Sequence, residues 1–151
     1  MRVVIQRVKN ARVDIPDTGY SASIGNGLLV LAAFVDDDTD AALDWMARKI
    51  SSLRIFDDAN GVMNLSVRDT GGEVLVVSQF TLYASTARGN RPSYLKAAKP
   101  DVAVPLYERF CSMLEACVGK EIGRGVFGAD MKVSLLNDGP VTIIIDSQIK
   151  E

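Results

Sequence analysis

The chain has 151 residues, 48% of them hydrophobic and 24% charged, with a formal net charge of −2 and a pI of about 5.2. That is the composition of one soluble globular domain, residues 1–151, able to bury a sizeable core, and its acidic balance excludes a general polyanion binder. It contains no histidine, which excludes a Ser-His-Asp triad, a Cys-His pair and every histidine-containing metal site.

No apolar run approaches a membrane span, and MRVVIQRVK lacks the apolar segment and cleavage site of a signal peptide, so a cytoplasmic protein is expected. The first predicted element is VVIQRVKNARVDI (Val3 to Ile15), a strand or a bent pair of strands. GLLVLAAFV (Gly27 to Val35) follows as a buried strand. In DDDTDAALDWMARKISSL, Thr39 or a neighbouring aspartate caps a helix whose first turn is acidic. Leu43, Met46, Ala47 and Ile50 then recur at helical spacing and form a core-facing stripe. Asp36, Asp37, Asp38 and Asp40 have the chemistry of metal ligands, but they lack calcium-loop spacing and suit capping better. Trp45 lies off the stripe, where it either covers a subunit interface or packs against Arg48.

LRIF reads as a short strand, DDANG as a turn and MNLSV as another strand. EVLVVSQFTLYA (Glu73 to Ala84) is the most continuous apolar segment and the expected central strand. STARGNRPS is a polar loop. A second helix is predicted from near Val104, with Pro105 in its first turn, burying Leu106, Phe110, Met113, Leu114 and Cys117. Cys111 and Cys117 then stand roughly 9 Å apart along that helix, too far to form a disulfide. VFG, DMKVSLL and VTIIID complete the strands. Asn137-Asp138-Gly139 between the last two has hairpin-turn chemistry, and Pro140 reads as a strand-edge residue that also raises the chance of a cis peptide. The resulting fold class is α+β: a mainly antiparallel, barrel-like sheet with two substantial helices, whose remaining open faces a homodimer would cover.

Three polar residues interrupt the buried segment VVSQFTLY. On a regular strand Ser78 and Thr81 point to opposite faces, each satisfying neighbouring backbone groups. If the strand instead ends between them, the N–H groups of Phe80 and Thr81 become free to face an anionic centre. Neither hydroxyl has an evident base. GRGVFGADM lacks the spacing of a phosphate loop. Basic residues gather in two places, Arg2, Arg7, Lys9 and Arg12 near the start and Arg88, Arg91, Lys96 and Lys99 in one loop, which suits a limited nucleic-acid contact.

Gln6-Arg7-Val8, LRIF…GVMNLSV, VVSQFTLY, TARGNRPS and FGADMKVSLLNDGPVT occur in order from Met1 to about Ser147. In this order and spacing they resemble the D-aminoacyl-tRNA deacylases. The resemblance implies a cytoplasmic homodimer with no metal or other cofactor, hydrolysing the ester between a D-amino acid, or mischarged glycine, and the tRNA 3′ end. It implies that Ser78, Gln79, Phe80 and Thr81 frame the ester, and that Phe127, Gly128 and Met131, with Ala103, shape the adenosine pocket. It further implies that Gly139 and Pro140 form a cis dipeptide, locked by Arg7, that enters the partner subunit's site and rejects L side chains. Thr81 is then either the nucleophile or a bystander to attack assisted by the adenosine 2′-hydroxyl, and the lack of histidine favours the latter. Ala33 and Val126 depart from the glycine and the basic residue common at those positions. The runner-up function is a non-catalytic nucleic-acid-binding homodimer using the Arg7 and Arg88/Arg91 regions.

Overall fold

The computed structural model describes residues 1–150. Its organising element is β1 (Arg2–Ile15), a single 14-residue strand. One edge of β1 is shared by β3 (Gly27–Ala33), antiparallel to Arg2–Val8, and β2 (Tyr20–Ile24), antiparallel to Ala11–Ile15. The other edge carries β8 (Lys132–Asp146), also antiparallel. Beyond β3 come β6 (Glu73–Ser78) and β7 (Gly123–Arg124), both paired in parallel. A separate small hairpin joins β4 (Phe56–Asp57) to β5 (Met63–Leu65). The expected α+β architecture with a nearly barrel-shaped sheet is therefore present. Its central strand is β1, with three neighbours, and not the segment around Val76. The alternation in Tyr20–Ile24 was too weak for the sequence to announce β2.

Two helices cover one face. α1 (Asp40–Ser52) begins at Thr39, whose Oγ1 accepts the Ala42 N–H at 3.2 Å, and its buried stripe is Leu43, Met46, Ala47 and Ile50 as spaced in the sequence. Asp38 does not cap the helix: its carboxylate accepts the Val35 N–H and pairs with the Met1 amino group. α2 (Pro100–Val118) starts one turn earlier than predicted, because Pro100 at its first position has no N–H to leave unpaired. Pro105 consequently lies inside the helix on its exposed side, where water can reach the carbonyl it leaves free. Leu106, Phe110 and Leu114 are buried as expected, while Met113 and Cys117 are only partly so.

The main core lies between these helices and Val3, Ile5, Val30, Val74 and Val76. Val8, Ala11, Val13, Leu29, Leu75 and Val77 form a second core on the opposite face, closed by Met131 and Leu135. β1 thus serves both cores. Ile5 faces the helices and Ala11 the second core, although both positions are odd, because the ladder slips near Val8 and Asn10.

That slip corrects the hairpin expected at Asn137–Pro140. Both flanks run antiparallel to β1 along the same edge, so the chain never reverses. Gln6 pairs with Thr142 and Val8 with Asn137, leaving Asp138–Val141 opposite Arg7 alone. The segment is a bulge in one long strand, and Gly139–Pro140 within it is cis. Two further expectations change. Glu73–Ala84 is not one strand: β6 ends at Ser78 and a 3₁₀ turn, η1 (Phe80–Tyr83), follows. Val126–Gly128 contributes no strand; Phe127 and Gly128 form a turn.

Candidate active site

The end of β6 is set by its neighbour. β3 pairs with it as far as Ala32↔Ser78, and a last bond runs from the Gln79 N–H to the Ala32 carbonyl at 2.7 Å. The ladder stops there, and the chain turns into η1. Phe80 and Thr81 supply the first two N–H groups of that turn, and neither is paired with a backbone carbonyl among the described residues. Gln79 does not cap them, since its side-chain amide donates to Thr81 Oγ1. Ser78 is therefore the last residue of β6 and Thr81 lies in the turn beyond it, so the two are not on opposite faces of one strand.

A cleft of about 530 Å³ opens at this point. Val77, Ser78, Gln79 and Phe80 form one wall, Tyr94 and Ala97–Pro100 a second, and Phe127–Met131 with Val133 the third. The structure thus brings together Ser78, Gln79, Phe80, Phe127, Gly128 and Met131, which lie up to 53 positions apart in the sequence (131 − 78). Gly128 has φ 79°, a conformation that glycine adopts without strain. Thr81 does not line the cleft, and Ala103 is buried in α2 behind it. Tyr94, Lys99 and Asp130 line it although sequence reasoning attached no such role to them; they sit in loops, where no periodicity marks a residue's direction.

Beneath the cleft, the Tyr107 hydroxyl lies 2.8 Å from the Gly125 carbonyl and 3.2 Å from the Val76 carbonyl, and its ring packs against Phe127 at 6.1 Å. One side chain of α2 therefore ties the β6 wall to the Phe127 wall. Burial holds its phenol far above the usual range and pushes the neighbouring Cys111 thiol up to about 12. Neither group exchanges protons near neutrality. Asp130, the carboxylate in the lining, is 64% exposed and paired with Lys132 at 3.0 Å. Tyr107→Phe is expected to cost about 1–2 kcal/mol, because the single buried hydroxyl proton shared between the two carbonyls is lost. A lowered urea midpoint at unchanged slope would show it.

Arg7, Gly139 and Pro140 lie outside this cleft. Following the register from Ser78 through Ala32 and Val3 to Ile145 crosses three strand spacings, about 14 Å, and Arg7 is a further four residues along β1, about 13 Å. Arg7 is only 7% exposed. Its Nε donates to the Asp138 carbonyl at 2.9 Å and its Nη1 to the Ile55 carbonyl at 2.7 Å, with the Asp57 and Asp138 carboxylates at 3.5 and 3.6 Å. The bulge is fastened from its other side as well, where the Val141 N–H donates to Asn137 Oδ1 at 3.0 Å. Arg7 is thus an interior lock and not a member of a basic surface.

A family model described as D-Tyr-tRNA(Tyr) deacylase matches residues 4–146. The D-aminoacyl-tRNA deacylases of Parabacteroides distasonis and Bacteroides thetaiotaomicron are 61% and 59% identical over 151 residues, covering all of this chain and all of each relative. Among solved structures, a c-Myc DNA unwinding element binding protein superposes with a TM-score of 0.89 at 39% identity, covering 97% of this chain and 98% of that one. A probable eukaryotic D-amino acid tRNA deacylase at 20% identity shares the fold with a TM-score of 0.83, covering 95% and 97% of the two chains. The chain belongs to the D-aminoacyl-tRNA deacylase family.

Proposed function

We propose that the protein hydrolyses the ester joining a D-amino acid, or glycine, to the 3′-terminal adenosine of tRNA, a cytoplasmic proofreading reaction that releases free amino acid and tRNA. The observation that carries this reading is the meeting of the strand terminus at Ser78–Phe80 with the Phe127–Met131 turn in one cleft. Phe127, Gly128 and Met131 would receive the adenosine, and the ester carbonyl would lie at the unpaired N–H groups of Phe80 and Thr81. Water adds to that carbonyl, and the donors stabilise the oxyanion of the tetrahedral intermediate. The bond to the 3′ oxygen then breaks, and that oxygen takes up a proton. The chain has no histidine to serve as a base, so the adenosine 2′-hydroxyl would orient the water. Thr81→Ala is accordingly expected to keep its single-turnover rate within about ten-fold of the parent, whereas a loss of about 10⁴-fold or more would make Thr81 the nucleophile.

The Gly139–Pro140 bulge would act on a second copy's cleft. It lies too far from Ser78 along the register to reach its own, and it sits on a strand whose outer edge has no partner strand among the described residues. Near it that strand exposes Leu136 (56%) and Ile144 (68%), apolar surface that an isologous homodimer would cover. Presented to the partner, the dipeptide would leave room for a D side chain or for glycine and collide with an L side chain, so that selectivity comes from rejection. Single-turnover release from matched D- and L-tyrosyl-tRNA, with a chelator present, tests the whole reading. Fast release of D-tyrosine with L-tyrosyl-tRNA untouched is expected.

One observation favours the second reading, a nucleic-acid-binding homodimer without turnover: a protein that shares the fold is named as a DNA unwinding element binding protein. Salt-sensitive binding with release from neither tRNA would support it. The burial of Arg7 takes that residue out of the first of the two basic regions on which it depends.

A further inference from the structure

Phe80 and Tyr94 form an exposed aromatic pair at the mouth of the cleft. Their rings meet edge to face with centroids 5.1 Å apart. They remain 50% and 39% exposed, and neither belongs to either hydrophobic core. Stabilising the fold does not account for them.

Tyr94 directly follows a projecting arm. Ser85 and Ser93 exchange both backbone hydrogen bonds, at 2.8 and 2.9 Å, and so clamp the base of residues 86–92, which turn at Gly89 with φ 71°. The arm carries Arg88 and Arg91, and Lys99 stands on the cleft wall below. Arg2, Arg7, Arg12, Arg48, Arg109 and Arg124 are paired with carboxylates, whereas Arg54 bonds Asn64 and Arg68, like the arm's arginines, has no carboxylate partner among the described residues. Arg88, Arg91 and Lys99 are exposed and form no such pair among the described residues, although the chain is acidic overall.

We infer that the arm and the aromatic pair bind the single-stranded nucleotides immediately 5′ of the terminal adenosine, with a base stacked on Phe80 and Tyr94 and phosphates held by Arg88, Arg91 and Lys99. The inference rests on the reading of the cleft as the site of the aminoacylated adenosine. Open aromatic faces beside unpaired cations hold single strands of any sequence, since every base has a π-face and every nucleotide a phosphate. An edge-to-face pair leaves ring faces free for a third ring. The few cations agree with a short contact at the end of the RNA and not with a groove along a duplex.

The test compares D-tyrosyl-tRNA with D-tyrosyl-adenosine, which lacks those nucleotides. Tyr94→Ala is expected to raise KM for the tRNA about ten-fold with kcat within about two-fold, and to affect the adenosine ester far less. The Arg88→Ala/Arg91→Ala double variant is expected to flatten the salt dependence of kcat/KM on tRNA by about 0.7 per lost phosphate contact. Equal losses on both substrates, or an unchanged KM for tRNA, would overturn the inference. So would a monomeric Tyr94→Ala protein in sedimentation, which would make the pair a subunit contact. Should the parent protein hydrolyse neither ester, the reading of the cleft has failed. Anisotropy with a short RNA ending in CCA then decides the inference by itself, with weaker binding by Tyr94→Ala supporting it and unchanged binding refuting it.

Discussion

Arg7→Ala is expected to remove discrimination between D- and L-aminoacyl-tRNA and to lower stability by about 3 kcal/mol. The guanidinium holds the Asp138 and Ile55 carbonyls from inside the protein, 2.9 and 2.7 Å away, where no solvent replaces it. Without it both carbonyls lose a charged donor, and the four residues Asp138–Val141 lose their inner fastening. Lysine would not restore the arrangement, because an ammonium cannot span two carbonyls as the planar fork does. Pro140→Ala tests the first of these consequences at the dipeptide itself. It removes the ring, whose fixed φ and bulk would make the dipeptide a rigid obstacle. The expected result is L-tyrosine release from tRNA raised about 100-fold, equivalent to about 2.7 kcal/mol of lost rejection. If the Pro140→Ala protein still spares L-aminoacyl-tRNA completely, the dipeptide is not the gauge.

Gly27→Ala is expected to cost about 3 kcal/mol or more and to take activity with it. A methyl group on Gly27 would lie 1.8 Å from the Glu73 carbonyl oxygen and 2.7 Å from its carbon and nitrogen. These are backbone atoms of the paired strand, so no rotamer change relieves the overlap. The β3–β6 ladder, which begins at Gly27↔Glu73, has to shift or open. That ladder also sets where β6 ends, so the displacement would carry to Ser78 and the free N–H groups beyond it. For a chain of this length the loss corresponds to a fall in Tm of roughly 6–12 °C. The comparison to make is with Gly61→Ala, whose added methyl meets nothing within 4 Å and whose cost is only that of a positive φ, 73°. Similar losses for both variants would show that the close approach of Gly27 to β6 is not what matters.

Much of the fold was legible because local periodicity and final burial coincide. The α1 stripe and its Thr39 cap, the strand at Gly27 and the antiparallel strand at Val3 all follow from spacing that any compact partner would satisfy. Ser78 and Phe127 are singled out by the family resemblance and not by spacing, and the structure places both on one cleft. Periodicity misled where one local pattern has two tertiary outcomes. The Asn137–Pro140 segment has the chemistry of a hairpin turn, and that chemistry serves a bulge equally well. Only the edge of β1, long enough to pair with both flanks, decides between them.

By itself the sequence determined that this is an acidic α+β chain without histidine and that it carries two substantial helices. Hydrophobic spacing and residue chemistry are local properties, so they can be read without partners. Tertiary structure alone decided that β6 stops at Ser78, that the Phe80 and Thr81 N–H groups meet no backbone carbonyl among the described residues, that Arg7 is buried, and that the bulge and the cleft lie apart within one chain. Those outcomes depend on where a neighbouring strand ends and which edge remains unpaired, and pairing between distant segments is not encoded in either segment alone.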